Sequence, residues 1–382
     1  MIPLAVPNLS GNEEKYLREC IRTNYVSSVG PFVSRFEEMV KDASGSAFCA
    51  ATSSGTTGLH LALITSGVSN GDLVILPSFS FIASANAVAH CGATPWLFDV
   101  NVSSWTLDSN LLLNELKTKT ERRGRNIFHV PTGLRVAAIM PVYTLGTPSD
   151  MDEIQDIAND YNLPIIADAA AAIGARYKER NLGYLADLSV FSFNGNKTVT
   201  SGGGGAVVSP NKKLIERVYH LSTTARVGTE YHHDEVGYNY RMTNIQAAVG
   251  CAQLEQLDQF VRIKRRIRAT YDKAFSNLPG VELIPQPDWA QSACWFSGVL
   301  IKDPKLPNSS SFCEMLNREG IGARKFWKPI HLQPPYKKAP CTRQATTDQV
   351  WNQILMLPCS TSLTEGQQEK TISLVKKGLK TC

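Results

Sequence analysis

Apolar residues recur at helical spacing near the start of the chain, where Tyr16, Leu17, Cys20 and Ile21 predict a helix over residues 12–23. A polar turn, Val26-Ser-Ser-Val-Gly-Pro31, leads into a second helix with Phe32, Val33, Phe36, Met39 and Val40 on one face and Arg35, Glu37 and Glu38 off it. From residue 46 the pattern changes to a short apolar run (47–51), a Ser/Thr/Gly turn, and an apolar helix from Leu59. Strand and helix then alternate: strands at 73–76, 94–98 and 136–142, helices at 82–90 and 151–161. Such alternation predicts an α/β fold built on a parallel sheet with helices on both faces. Residues 119–135 are polar and read as an elaborated loop. Further apolar runs at 163–167, 188–193 and 207–208 read as buried strands, and residues 212–221 as a helix. A composition shift near Leu278-Pro-Gly280 marks a second α/β layer with a strand at 294–301, a helix at 309–320 and a strand at 322–326.

Length supports that division, since 382 residues exceed one ordinary core and predict a large and a small domain. Charge excludes some partners. With 39 Lys+Arg against 34 Asp+Glu the net charge is only +5, and no basic run is longer than Lys264-Arg265-Arg266, so the chain is not a nucleic-acid binder. Residues 262–268 read as the wet face of a helix. No apolar run has membrane length and the N-terminus has no signal-peptide pattern, so no membrane partner and a cytoplasmic location are expected. Nine cysteines without a Cys-x-x-Cys pair are expected to be reduced, and no metal site is read.

The chemistry concentrates at Ser192-Phe-Asn-Gly-Asn-Lys197-Thr-Val-Thr-Ser-Gly-Gly-Gly-Gly205, which sets one lysine between a buried strand and a glycine run. An amine beside apolar walls loses its charge more easily and becomes a nucleophile toward an aldehyde or ketone. Taken alone, the stretch reads equally as a surface lysine beside a glycine turn. Thr52-Ser-Ser-Gly-Thr56 between strand and helix aims N–H groups and hydroxyls at one point, as a phosphate site or a plain N-cap. Asp168 follows a buried strand and precedes small residues, so it needs a cationic partner: a protonated pyridine nitrogen, or an arginine such as Arg176. Phe79 and Phe81 lie past a strand end, where either ring is core or stacks on a flat cofactor. Residues 237–246 read as a recognition segment, and the proline-rich loop at 327–336 as a cover over a site, with His331 either a ligand contact or a surface histidine.

Together Thr52-Ser-Ser-Gly-Thr56, Asp168-Ala-Ala-Ala-Ala-Ile-Gly174, the Lys197 stretch and Gly237-Tyr-Asn-Tyr-Arg-Met-Thr-Asn244 resemble the DegT/DnrJ/StrS family of nucleotide-sugar aminotransferases, from about Ile2 to the C-terminal helix. The resemblance implies the aspartate aminotransferase fold (fold type I): a large mixed-sheet domain binding pyridoxal 5'-phosphate (PLP), residues 1–255, a small C-terminal α/β domain, residues 256–382, and a homodimer with shared active sites. It implies Lys197 as the Schiff-base lysine, Asp168 at the pyridine nitrogen and Phe81 stacked on the ring. Ser54, Gly55, Thr56 and Ser192 would hold the phosphate, with Asn239 reaching across from the other subunit. Ser28, Arg241, Trp327 and His331 are the expected substrate contacts.

Ser192-Phe-Asn-Gly-Asn-Lys197, the start Ile2-Pro-Leu-Ala-Val-Pro-Asn-Leu-Ser-Gly11 and Trp327-Lys-Pro-Ile-His-Leu-Gln-Pro-Pro-Tyr336 look like the LegC/PglE branch. That branch aminates C4 of UDP-linked 4-keto-6-deoxy-N-acetylglucosamine for bacillosamine and legionaminic acid pathways, with L-glutamate as the expected donor. GDP-perosamine-type and dTDP-4-amino-sugar transaminases are the competitors. Two departures stand out: Ala171 where the family usually carries Gln, Glu or His, and Tyr143-Thr-Leu-Gly146 in place of a histidine-containing strand end. The related sugar dehydratases replace the lysine with histidine, and a non-catalytic binding protein would have lost Lys197 or Asp168; neither loss has occurred.

Overall fold

The computed structural model describes residues 1–380. Its main sheet has the spatial order Phe48–Thr52, Gly205–Ser209, Leu188–Ser192, Ile166–Asp168, and it continues through the parallel bridges Ile139↔Ile165 and Val142↔Asp168 into Arg135–Ile139, Leu73–Pro77 and Thr94–Phe98. The parallel expectation holds for six of these seven strands. Gly205–Ser209 runs antiparallel to both neighbours, which makes the sheet mixed. Its strands are buried on both faces, as Leu73–Pro77, Leu188–Ser192 and Gly205–Ser209 show at every position, which explains their continuous rather than alternating apolar pattern.

Two predicted features change. Residues 119–135 are not a loop: Thr120–Arg123 and Asn126–His129 form a hairpin that extends the sheet beside Arg135–Ile139. Residues 262–268 lie on the helix Leu257–Phe275, but Lys264 and Arg268 are buried. Arg268 pairs with Asp272 and donates to the Ile284 carbonyl, so part of that basic face binds the core rather than water.

The second sheet is antiparallel, ordered Val281–Leu283, Ser297–Ile301, Ile354–Leu357, Arg324–Lys325. Its apolar core gathers Phe312 and Leu316 from the helix Ser309–Arg318, and Val375 from the helix Glu365–Lys380. The N-terminal segment joins this core, with Ile2 buried and bridged to Ile321. The eight described cysteines are free, five of them buried. Among the described residues no helix is long and apolar enough to cross a membrane.

What this topology does for function is to bring loops together. The parallel strands Phe48–Thr52, Leu73–Pro77, Arg135–Ile139, Ile166–Asp168 and Leu188–Ser192 all point the same way, so the segments after them meet at one edge. That edge is where open α/β sheets hold ligands.

Candidate active site

A cavity of about 450 Å³ opens at this edge, lined by Ser54, Phe81, Ser84, Asp168, Ser192, Lys197, Trp295, Arg324 and Trp327 among others. At one end stands the N-terminus of the helix Gly55–Thr65. Ser54 caps it reciprocally: its hydroxyl accepts from the Thr57 N–H at 3.1 Å, while Thr57 Oγ1 accepts from the Ser54 N–H at 3.0 Å. Gly55 and Thr56, also in the lining, carry first-turn N–H groups that have no intrahelical acceptor, which makes this an anion site. Ser192 on the adjacent strand packs so close to Gly55 that a Cβ there would lie 2.9 Å from its own Cβ. Gly205 is required for the same reason, since a Cβ would meet the Ser54 carbonyl oxygen at 2.5 Å.

Asp168, also in the lining, is buried. Burial pushes its carboxyl above the ordinary value, against the pull of the Ser84 hydroxyl at 2.6 Å, the Ala170 N–H at 3.1 Å and the Lys197 charge. Ser84 and Ala170 supply two donors and no cation. Lys197 is half-buried, and burial lowers its amine to about 8, with the Asp168 charge acting in the opposite direction. At neutral pH the neutral fraction is then roughly 300-fold larger than for a free lysine. Aromatic rings close the wall: Lys197 Nζ sits 3.6 Å from the Trp295 ring centroid, and Trp327 lies 5.6 Å from Phe81 and 5.7 Å from Trp295. An anion site, a buried carboxylate lacking a cation and a nucleophilic amine in one cavity match the phosphate, ring nitrogen and aldehyde of PLP.

Comparison with known proteins decides the family. Residues 7–376 match the DegT/DnrJ/EryC1/StrS aminotransferase family. The chain belongs to that family. It is 35% identical over 382 residues to the GDP-perosamine synthase of Caulobacter vibrioides, covering 99% of this chain and 98% of that one. It is 30% identical to the UDP-4-amino-4,6-dideoxy-N-acetyl-beta-L-altrosamine transaminase of Campylobacter jejuni, over 88% of this chain and 86% of that one. Among solved structures, the aminotransferase TlmJ from Streptoalloteichus hindustanus superposes with a TM-score of 0.89 at 26% identity, covering 100% and 99% of the two chains. The chain is therefore a PLP-dependent aminotransferase of nucleotide sugars, with the fold type I architecture.

Of the residues expected at the site, Ser54, Gly55, Thr56, Phe81, Asp168, Ser192, Lys197 and Trp327 line the cavity of this DegT-family chain. Phe79 is core, stacked 4.5 Å from Phe326. Arg176 is exposed and donates to the Glu179 carbonyl, so it is not the partner of Asp168. Arg241 and His331, expected at the substrate, are held elsewhere. Arg241 pairs with Glu37 at 2.9 Å, donates to the Ala51 carbonyl at 3.0 Å and lies over the Tyr219 ring. His331 Nδ1 meets the Ser78 hydroxyl at 2.7 Å and its Nε2 meets Asp348 at 3.0 Å, which anchors the proline-rich loop. Ser28 and Asn239 are exposed and do not line this chain's cavity.

Among the cavity residues that escaped the sequence reading, Ser84, Trp295 and Arg324 bear most on the site. Ser84 lies inside a predicted helix, 84 positions from the carboxylate it binds. Trp295 stands at the start of a predicted strand of the second layer, and Arg324 in another. Nothing local marks any of them: Ser84 meets Asp168 only once the main sheet has formed, and Trp295 and Arg324 reach the cavity only when the second layer packs against the first.

Proposed function

We propose that the chain transfers an amino group from L-glutamate to C4 of a nucleotide-linked 4-keto-6-deoxy sugar, with UDP-2-acetamido-2,6-dideoxy-4-keto-glucose as its first substrate, in the cytoplasm. The observation that carries this reading is the meeting of an amine that burial makes easier to deprotonate, Lys197, and a buried carboxylate, Asp168, in one cavity with a helix N-terminus. In this reading Ser54, Gly55, Thr56 and Ser192 hold the cofactor phosphate and Phe81 lies against the ring. When bound, PLP supplies a reactive carbonyl and an electron-withdrawing ring. Asp168 offers its carboxylate to the ring nitrogen and holds a proton there. Lys197 Nζ takes the proton from Cα of glutamate in one half of the reaction and delivers a proton to C4 of the sugar in the other. The rings of Trp295 and Trp327 exclude water from that transfer.

We also propose a homodimer with shared sites. Support comes from the segment at residues 223–240, where Asn239 is exposed together with Tyr231 at 88% and Val236 at 82% exposure. Bare apolar side chains of that size in one segment fit a second copy of the chain. Asn239, Ser28 and their neighbours would then serve the other subunit's cavity.

The UDP-linked substrate rests on the resemblance of the Lys197 stretch and the 327–336 loop to the LegC/PglE branch. A GDP-linked 4-keto-6-deoxy sugar is the second reading, supported by 35% identity to a GDP-perosamine synthase against 30% to a UDP-sugar transaminase. Measuring kcat/KM for the UDP-, GDP- and dTDP-linked keto sugars by mass spectrometry tests both. Preference for the UDP sugar is expected, and a clear preference for the GDP sugar selects the second reading. Activity on free keto acids with none on any keto sugar overturns the whole proposal.

A further inference from the structure

Trp295 lies between the strand Ala290–Gln291 and the strand Ser297–Ile301 of the second sheet, yet its ring faces the reactive amine of the first. Its position is fixed from several sides. The indole N–H donates at 2.7 Å to the carbonyl oxygen of Asn196, the residue before Lys197. Its backbone N–H donates to the Leu145 carbonyl at 3.0 Å, and its own carbonyl accepts at 3.0 Å from the buried amine of Lys264. Cys294, immediately before it, has φ of 50°, a left-handed conformation that residues with a side chain seldom adopt. Such strain persists only where the surroundings over-determine it.

We propose that Trp295 is the seat of the Lys197 ammonium whenever that amine is not bonded to the cofactor. The inference rests on the reading of Lys197 as the reactive amine. Between taking a proton from one carbon and delivering one to another, Lys197 must hold charge in a cavity whose walls disfavour it. An aromatic face attracts the ammonium without an ion pair that must later be broken. The other charged or titratable groups around the cavity are Asp168, which also favours the ammonium, Arg324, which opposes it, and Tyr143, whose phenol burial keeps neutral. The bond from the indole to Asn196 ties the ring to the lysine's own backbone, so seat and amine keep their spacing. Trp295 thereby places a residue of the second layer in direct contact with the reacting atom.

The test uses holoenzyme treated with glutamate, in which Lys197 is free, and follows the rate at which acetic anhydride labels Lys197 as pH is varied. Mass spectrometry of the Lys197 peptide gives the midpoint. Trp295→Met should lower that midpoint by roughly 0.5–1.5 pH units, and Trp295→Phe, which keeps a ring without the N–H, by less than half as much. Replacing tryptophan biosynthetically with mono- and difluorotryptophan keeps the shape and the N–H while weakening the face, so the midpoint should fall stepwise with fluorine number. This arm decides the question even where Trp295→Met does not fold. A midpoint that ignores fluorination, or a Phe variant that falls as far as the Met variant, overturns the proposal. The reading of Lys197 itself fails separately, if glutamate treatment of the wild-type enzyme does not expose Lys197 to the reagent.

Discussion

Burial drives the Lys197 amine toward its neutral form, and this has a stability consequence that needs no substrate to observe. Unfolded, the amine titrates at its ordinary 10.5; folded, it titrates at about 8. Between those values the unfolded chain binds a proton that the folded chain does not, so stability from this group rises as pH climbs from 8 to 10.5, and its cost is full below 8. In cofactor-free protein, Lys197→Met should be more stable than wild type by up to ~3 kcal/mol at neutral pH, a margin that shrinks as the medium becomes alkaline. Denaturant titrations at several pH values measure this, and identical pH profiles for the two proteins would show that the amine is not desolvated. Asp168 has the opposite requirement: burial pushes its carboxyl up, and in the proposed reading a cationic ring nitrogen would hold it charged. Asp168→Asn should retain cofactor but lose two or more powers of ten in turnover, corresponding to ~3 kcal/mol or more of transition-state stabilisation. A rate close to wild type would reduce Asp168 to a structural role.

The elements that build the site were legible where hydrophobic period and turn chemistry agreed. The run into Asp168 and the Ser/Thr/Gly turn before Gly55–Thr65 lie where their patterns placed them. The hairpin at Thr120–Arg123 was not legible, since a strand reading Thr-Glu-Arg-Arg has no apolar face and exists only because Asn126–His129 pairs with it. Strand direction was equally hidden, because an apolar run reads the same in either sense, and Gly205–Ser209 is antiparallel. The partner of Arg241 was hidden for a related reason. A cation in a polar segment looks like a ligand contact until its partner, Glu37, is brought to it from 204 residues away. That pair fastens residues 237–244 to the strand Phe48–Thr52, since Glu37 also accepts from the Ala51 N–H at 2.8 Å. Arg241→Met should cost about 1–3 kcal/mol by leaving the half-buried Glu37 without its cation, and leave the KM for the keto sugar little changed. A large rise in that KM with unaltered stability would return Arg241 to the substrate.

At the scale of the whole molecule, the account requires two chains for one complete site. Lys197 lines its own chain's cavity while Asn239 stands exposed outside it. Lys197→Ala and Asn239→Ala chains, each inactive alone, should regain activity when mixed, because one site of each hybrid dimer then carries both intact residues. Demonstrated hybrids without rescue would assign Asn239 to its own chain's site. The central claim, amination of a nucleotide-linked keto sugar at Lys197, is tested most directly by following the two halves of the reaction separately. Glutamate added to the purified PLP enzyme should remove its visible absorbance. After glutamate is washed away, the keto sugar should restore that absorbance with one equivalent of amino sugar formed per site, and Lys197→Ala should show neither change. Bleaching by glutamate that no nucleotide-linked keto sugar reverses, or an unaltered response in Lys197→Ala, would contradict the account.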